Sequence, residues 1–154
     1  MKIRKIKGFV VWPWDCTLNH VYRQLAEWLK CPELTEKLQV LREKSGEIFV
    51  GAKLVPSLVH GDLWSGNYAQ SATGPSIFDP GCFYAHDEFE FGMISLYGGL
   101  GRKFYDGYRS LIPERPGFVT RVKLYRLFHL LNHWWHFGGS YKNQSISLLT
   151  ELIE

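Results

Sequence analysis

Hydrophobic residues recur at helical spacing on both sides of a central stretch that lacks this period, and this pattern restricts the fold more than any other feature. Leu18, Val21, Tyr22, Leu25 and Leu29 mark one amphipathic helix. Pro32 breaks it and can open a second helix at its first turn. Leu34, Leu38 and Leu41 carry the period on until Ser45-Gly46 stops it, so residues 17–45 are predicted as two helices. The pattern returns from residue 86, where Phe89, Met93, Leu96 and Tyr97 share a face. A short helix is predicted over 102–112, the longest over 117–137 with Gly138-Gly139 as its stop, and a last one near 143–153. Between the two helical halves, residues 47–59 are short apolar runs cut by Gly51 and Pro56 and suit a strand or a buried linker equally. Tyr68–Gln70 and Ser76–Phe78 flank Gly74-Pro75 as a small hairpin, and Asp79-Pro80-Gly81 is a turn. The fold class is α+β, mainly α.

Composition narrows the setting. The chain has 154 residues, of which 45% are hydrophobic, enough for one domain with a substantial core and too apolar for disorder. No uncharged apolar run approaches the roughly 18–20 residues of a membrane span. The formal net charge of +3 is weak support for a nucleic-acid partner, which calls for a concentrated basic patch, and none is expected. Only Lys2, Arg4, Lys5 and Lys7 cluster, and a mobile, solvated end explains them best. Cys16, Cys31 and Cys82 fit neither a disulfide framework nor a zinc spacing. With no secretory leader in the first residues, a reduced, cytoplasmic location is expected.

The chemistry lies in His60-Gly61-Asp62-Leu63-Trp64-Ser65-Gly66-Asn67 and, beyond the hairpin, Ile77-Phe78-Asp79-Pro80. The first segment fits H-x-D-x-x-x-x-N, the spacing of the kinase catalytic loop, and Asp79 stands where such proteins carry a metal-binding Asp. Phosphoryl transfer needs a carboxylate at the attacking hydroxyl and oxygen ligands for the Mg²⁺ that bridges nucleotide phosphates. Asp62 would be the base, with Asn67 and Asp79 as metal ligands. The plainer alternative makes HGD a turn and Asn67 and Asp79 turn or hairpin caps, positions these residues favour on their own account.

Together HGDLWSGN, GPSIFDPGCFYAHDEFEFGM, FYDGYRSLIPERPGF and LYRLFHLLNHWWHFGG, spread over residues 54–154, closely resemble the fructosamine kinase family. The resemblance implies the C-terminal lobe of a protein-kinase-like, aminoglycoside phosphotransferase-like fold. It implies use of ATP and Mg²⁺ to phosphorylate the 3-hydroxyl of a ketosamine, a fructosamine or ribulosamine on a protein lysine or a small amine, after which the adduct detaches. It also implies Asp62 as catalytic base and Asn67 and Asp79 as cofactor and metal ligands. Trp64 is expected at the substrate, and His60 and Glu88 are carried as further substrate-side candidates. His60 is weighed more heavily as a residue that orders the loop, and Glu90 as structural.

Departures from the family pattern set further expectations. Residues 1–53 stand upstream of the resemblance, and none of them forms G-x-G-x-x-G followed by a strand lysine. Gly98-Gly99-Leu100-Gly101 lies beyond the motif and reads as a helix–helix turn. The chain is therefore divided into a basic and aromatic segment, 1–16, and a kinase-like C-lobe, 17–154, with no N-lobe. Weak ATP binding and little turnover by the chain alone are expected, with self-association through the apolar surface an N-lobe would cover. The alternative is a non-catalytic remnant that binds ketosamines or a partner. His129, His133 and His136 share a helix but lack an acidic companion, so packing is preferred to metal binding. Trp134, Trp135 and Phe137 are assigned to the core before a sugar-amine site.

Overall fold

A computed structural model of the chain describes residues 18–98 and 100–154. The basic cluster at 2–7, Cys16 and Gly99 lie outside the described residues. Helix α1, Leu18–Leu29, buries Val21, Tyr22, Leu25 and Ala26 along one stripe. Helix α2, Pro32–Ile48, starts on its proline and buries Leu34, Leu38, Leu41, Ser45 and Ile48. It runs past the stop predicted at Ser45-Gly46. Ser45 is buried and donates its hydroxyl to the Arg42 carbonyl, and Ile48 continues the buried series. That burial outweighs the roughly 1 kcal/mol a helical glycine costs.

Four short strands follow. β1 (Pro56–Val59) pairs antiparallel with β4 (Phe83–His86), with Leu58 opposite Tyr84. β2 (Tyr68–Ser71) and β3 (Gly74–Ile77) form the predicted hairpin, with Tyr68 opposite Ile77. Residues 56–59 thus resolve as a strand. Strand β4 had no sequence signal, because four residues are too few to show a two-residue period.

A single 3₁₀ turn, Asp87–Phe89, leads into α3, Glu90–Tyr97, so the helix predicted from residue 86 begins at 90. Helices α4 (Arg102–Leu111), α5 (Phe118–Phe137) and α6 (Tyr141–Ile153) complete the described chain, near their predicted bounds. Helix α5 is the axis of the core: Leu124, Leu127 and Leu131 are wholly buried against α1, α3 and α6. Tyr22 donates its hydroxyl to the Leu124 carbonyl at 2.7 Å, which ties α1 to α5. Helix α3 crosses α5 at Gly92, where an added Cβ would sit 2.8 Å from the Tyr125 carbonyl carbon. That close crossing holds the start of α3 beneath the central loop.

Candidate active site

The polar loop 60–67 spans the gap between β1 and β2, and three hydrogen bonds fasten it to the segment around Asp79. The His60 ring Nε2 donates to the Phe78 carbonyl at 3.0 Å. The Phe78 N–H donates to the Asn67 carbonyl at 3.0 Å, and the Gly81 N–H to the His60 carbonyl at 2.9 Å. Asp62, Asn67 and Asp79, separated in sequence by the hairpin, are thereby drawn to one place. Gly61 makes the loop's sharp turn at φ +77°, and a Cβ there would lie 2.6 Å from the Phe83 ring. No other residue type fits that turn.

Asn67 is buried and donates through Nδ2 to the Asp62 carbonyl at 2.8 Å and to Asp62 Oδ2 at 3.1 Å. This fixes the Asp62 carboxylate and leaves Asn67 Oδ1 without a hydrogen bond among the described residues. Burial raises the Asp62 carboxyl above its ordinary value; the Asn67 bond and His60 oppose the rise, and nearby Asp79 adds to it. Asp79 is exposed and holds a left-handed backbone at φ +52°, unusual for a residue other than glycine. An amide oxygen and a carboxylate are hard oxygen donors, the kind Mg²⁺ accepts while taking its other ligands from phosphates and water. The residues present therefore fit such an ion.

His60 does not face a substrate. It is buried, its Nε2 is committed to Phe78, and its Nδ1 accepts the Asp62 N–H at 3.3 Å. Both ring nitrogens hold the loop in shape, the loop-ordering arrangement weighed more heavily for His60 than a substrate contact. Glu88, the other substrate-side candidate, sits in an ion pair. It is 2% exposed, and its carboxylate takes Arg121 Nε at 2.6 Å and Nη2 at 2.9 Å. Both carboxylate oxygens are thus engaged by one guanidinium, a pairing that ties the 86–90 segment to α5.

Glu90 has a larger role than the sequence suggested. Its Oε2 accepts the His60 N–H at 2.6 Å and its Oε1 the Gly61 N–H at 3.2 Å. One carboxylate thus grips the backbone on the N-terminal side of Asp62. Burial raises its pKa, while the loop N–H groups and His60 oppose the rise. Only the family-like H-x-E-x-E spacing hinted at this residue. His86 pairs through Nδ1 with the Tyr125 hydroxyl at 2.8 Å, and Asp87 takes Arg115 at 2.9 Å. The run from 86 to 90 is a set of anchors beneath the loop.

Trp64 lies half-buried in the loop, its ring 5.4 Å from Tyr97 and close against Gly66, where a Cβ would come within 2.5 Å of the indole. Trp64 stands two residues after Asp62 in the loop and is not fully covered. Trp134 packs against the core, Trp135 stacks on Trp28 at 4.7 Å on the surface, and Phe137 is 57% exposed. Of these three, only Trp134 takes the core position expected for all. His129 is fully buried, and burial lowers its pKa to about 3. His136 stays exposed at the surface.

The family model described as fructosamine kinase matches residues 20–154. The chain is 45% identical over 120 residues to a mouse protein named ketosamine-3-kinase, covering 78% of this chain and 39% of the mouse protein. It is 44% identical over 119 residues to a chloroplastic protein-ribulosamine 3-kinase of Oryza sativa subsp. japonica, covering 77% of this chain and 34% of the rice protein. Two solved structures bearing the name fructosamine-3-kinase share the fold. One, from Haemophilus somnus 129PT, has a TM-score of 0.72 at 20% identity, covering 89% of this chain and 46% of that one. The other, from Thermobifida fusca YX-ER1, has a TM-score of 0.71 at 24% identity, covering 87% and 47%. This chain therefore spans well under half the length of the sequence relatives. With the family model matched along nearly all of it and the loop's spacing intact, the chain belongs to the fructosamine kinase family.

Proposed function

We propose that the described residues form the acceptor-activating half of an ATP-dependent ketosamine 3-kinase site. The observation that carries this reading is the clipping of loop 60–67 to the Asp79 turn, which brings a fixed, partly desolvated carboxylate beside two oxygen donors of metal-binding type. Asp62 accepts the proton of the sugar 3-hydroxyl as that oxygen bonds to the γ-phosphorus of ATP and the bond from phosphorus to the β-phosphate oxygen breaks, so that ADP leaves. Asn67 Oδ1 and the Asp79 carboxylate would hold Mg²⁺, which when bound neutralises charge on the transferring phosphate. Asn67 Nδ2 keeps Asp62 aimed at the acceptor, His60 and Glu90 hold the loop still, and Trp64 lines the acceptor side.

The acceptors on this reading are glycated protein lysines or small ketoamines. Leu58 and Tyr84 on the β1–β4 ribbon, Ile77 at the end of β3 and Phe78 beside Asp79 are exposed. We read this surface as the place where a nucleotide-covering lobe or a second copy of the chain docks, which would limit turnover by residues 17–154 alone. No helix among the described residues is long and apolar enough to cross a membrane. Cys31 and Cys82 are free thiols, which suits a reducing, cytoplasmic setting.

The test is ³¹P NMR of the purified chain with Mg-ATP and fructosyl-lysine. A phosphomonoester signal that falls about 10²–10⁴-fold in Asp62→Asn supports the reading. A phosphomonoester signal of the same size in Asp62→Asn refutes the catalytic role, and fructosyl-lysine binding with no signal at any chain or ATP concentration leaves a ketosamine-binding module. Because Asp62 acts only when ionised and its pKa is raised, the acid limb of the rate profile lies above the 3.8 of an ordinary aspartate.

A further inference from the structure

Three helix ends converge, each delivering an aromatic ring, and one of these rings, Tyr97, lies within electrostatic reach of Asp62. Tyr97 is the last residue of α3, Phe137 the last of α5 and Tyr141 the first of α6. The Tyr97 ring lies 5.4 Å from Trp64 and 5.6 Å, edge to face, from the His133 ring. His133 in turn stacks on Tyr141 at 5.2 Å and on Phe137 at 5.7 Å. The Tyr97 and Tyr141 hydroxyls meet at 3.1 Å, closing α3 onto α6. The result is a continuous aromatic shelf that begins inside the catalytic loop at Trp64 and runs outward.

The shelf is core only at His133, which is buried; its outer rings are not. Tyr97 is 41% and Phe137 57% exposed. Its electrostatics are one-sided. Tyr97 lies within electrostatic reach of Asp62, whose charge adds to the burial and the Tyr141 bond that raise the Tyr97 hydroxyl pKa. His133 is kept neutral by burial. The nearby ammonium, Lys142, sits 5.9 Å over Trp134, outside the stacked set. Among the described residues no Lys or Arg joins the stacked set, and the ionisable ring beside it is His136, 6.0 Å from Phe137; aromatic faces beside a carboxylate are the surroundings a substituted ammonium prefers.

We propose that this shelf is the amine subsite: it receives the alkylammonium and adjoining methylene chain of the acceptor, while the sugar hydroxyl lies at Asp62. The proposal rests on the acceptor reading of Asp62 and adds the part of the ligand that the loop alone does not explain. The aromatic faces select a cationic, extended amine substituent. A neutral substituent of equal length gains only apolar contact.

The test compares two probes with one sugar and one chain length, a 1-deoxy-1-hexylamino-fructose and the 1-O-hexyl ether of fructose, with affinity read by saturation-transfer NMR on the full chain. The proteins are wild type, Tyr97→Leu, Tyr97→Phe and Phe137→Leu, each checked for fold by circular dichroism. Tyr97→Leu is expected to weaken the amine about tenfold and the ether less than threefold, with Phe137→Leu moving in the same direction and Tyr97→Phe retaining wild-type affinity for both probes. Equal losses for amine and ether, or no loss in either leucine variant, overturn the amine subsite while leaving the Asp62 acceptor reading intact. Failure of wild type to bind either probe overturns the acceptor reading, and the subsite with it.

Discussion

Replacing Glu88 by Gln should destabilise the protein severely and leave ligand affinity alone. Arg121 is wholly buried, and Glu88 supplies its counter-charge through two short bonds. Arg121 Nη1 also donates to the Pro116 carbonyl at 2.7 Å and the Ile48 carbonyl at 3.3 Å, so this side chain joins α5 to the end of α2 and to the segment before α5. Glutamine keeps the shape but removes the charge, and its amide N–H₂ turns toward a guanidinium N–H. A buried cation without a partner costs about 3–5 kcal/mol, against 0–1 for a pair broken at the surface. For a chain of this size that corresponds to a fall in melting temperature of about 10 °C. Urea unfolding followed by circular dichroism should show a lower midpoint at unchanged slope. The double change Glu88→Gln with Arg121→Met should recover part of the loss. It removes the stranded charge but leaves the Pro116 and Ile48 carbonyls short of a donor, which costs about 1–3 kcal/mol for each buried group. A loss below about 1 kcal/mol would refute the argument. So would a tenfold drop in fructosyl-lysine affinity at unchanged stability, which would return Glu88 to the binding site.

Two further outcomes follow from the packing around the loop. Gly92→Ala puts a methyl group against the Tyr125 backbone and forces α3 from α5; calorimetry should show a loss of about 1–3 kcal/mol, the usual cost of overpacking. Glu90→Gln leaves either the His60 or the Gly61 N–H facing a donor, so kcat should fall at least tenfold, with a stability loss of about 1–3 kcal/mol. Because the folded Glu90 pKa is raised above 4.5, its protonation stabilises the fold below that value, and this contribution is lost as pH rises through the folded pKa. The stability gap between wild type and Glu90→Gln should therefore be widest at acid pH and narrow as pH rises; a pH-independent gap would rule out titration of Glu90.

The sequence by itself determined the helical halves and the motif. Leu34, Leu38 and Leu41 repeat within one helix, and His60, Asp62 and Asn67 lie within eight residues, so their patterns are local and readable. The hairpin was legible from Gly74-Pro75 between two short runs. Tertiary structure decided what each chemically capable residue does. Glu88 and Glu90 stand two apart in one acidic run, yet one is consumed by Arg121 on α5 and the other grips the loop 30 residues earlier. The motif suggested that His60 orders the loop but not through what partner: Phe78, on the far side of the hairpin, takes its ring. Strand β4 exists only because β1 lies beside it. The aromatic shelf assembles from three helix ends that sequence spacing does not relate. Periodicity reports which face of an element is buried; it carries no record of which distant carbonyl, carboxylate or ring waits there, and those long-range partners fix the site.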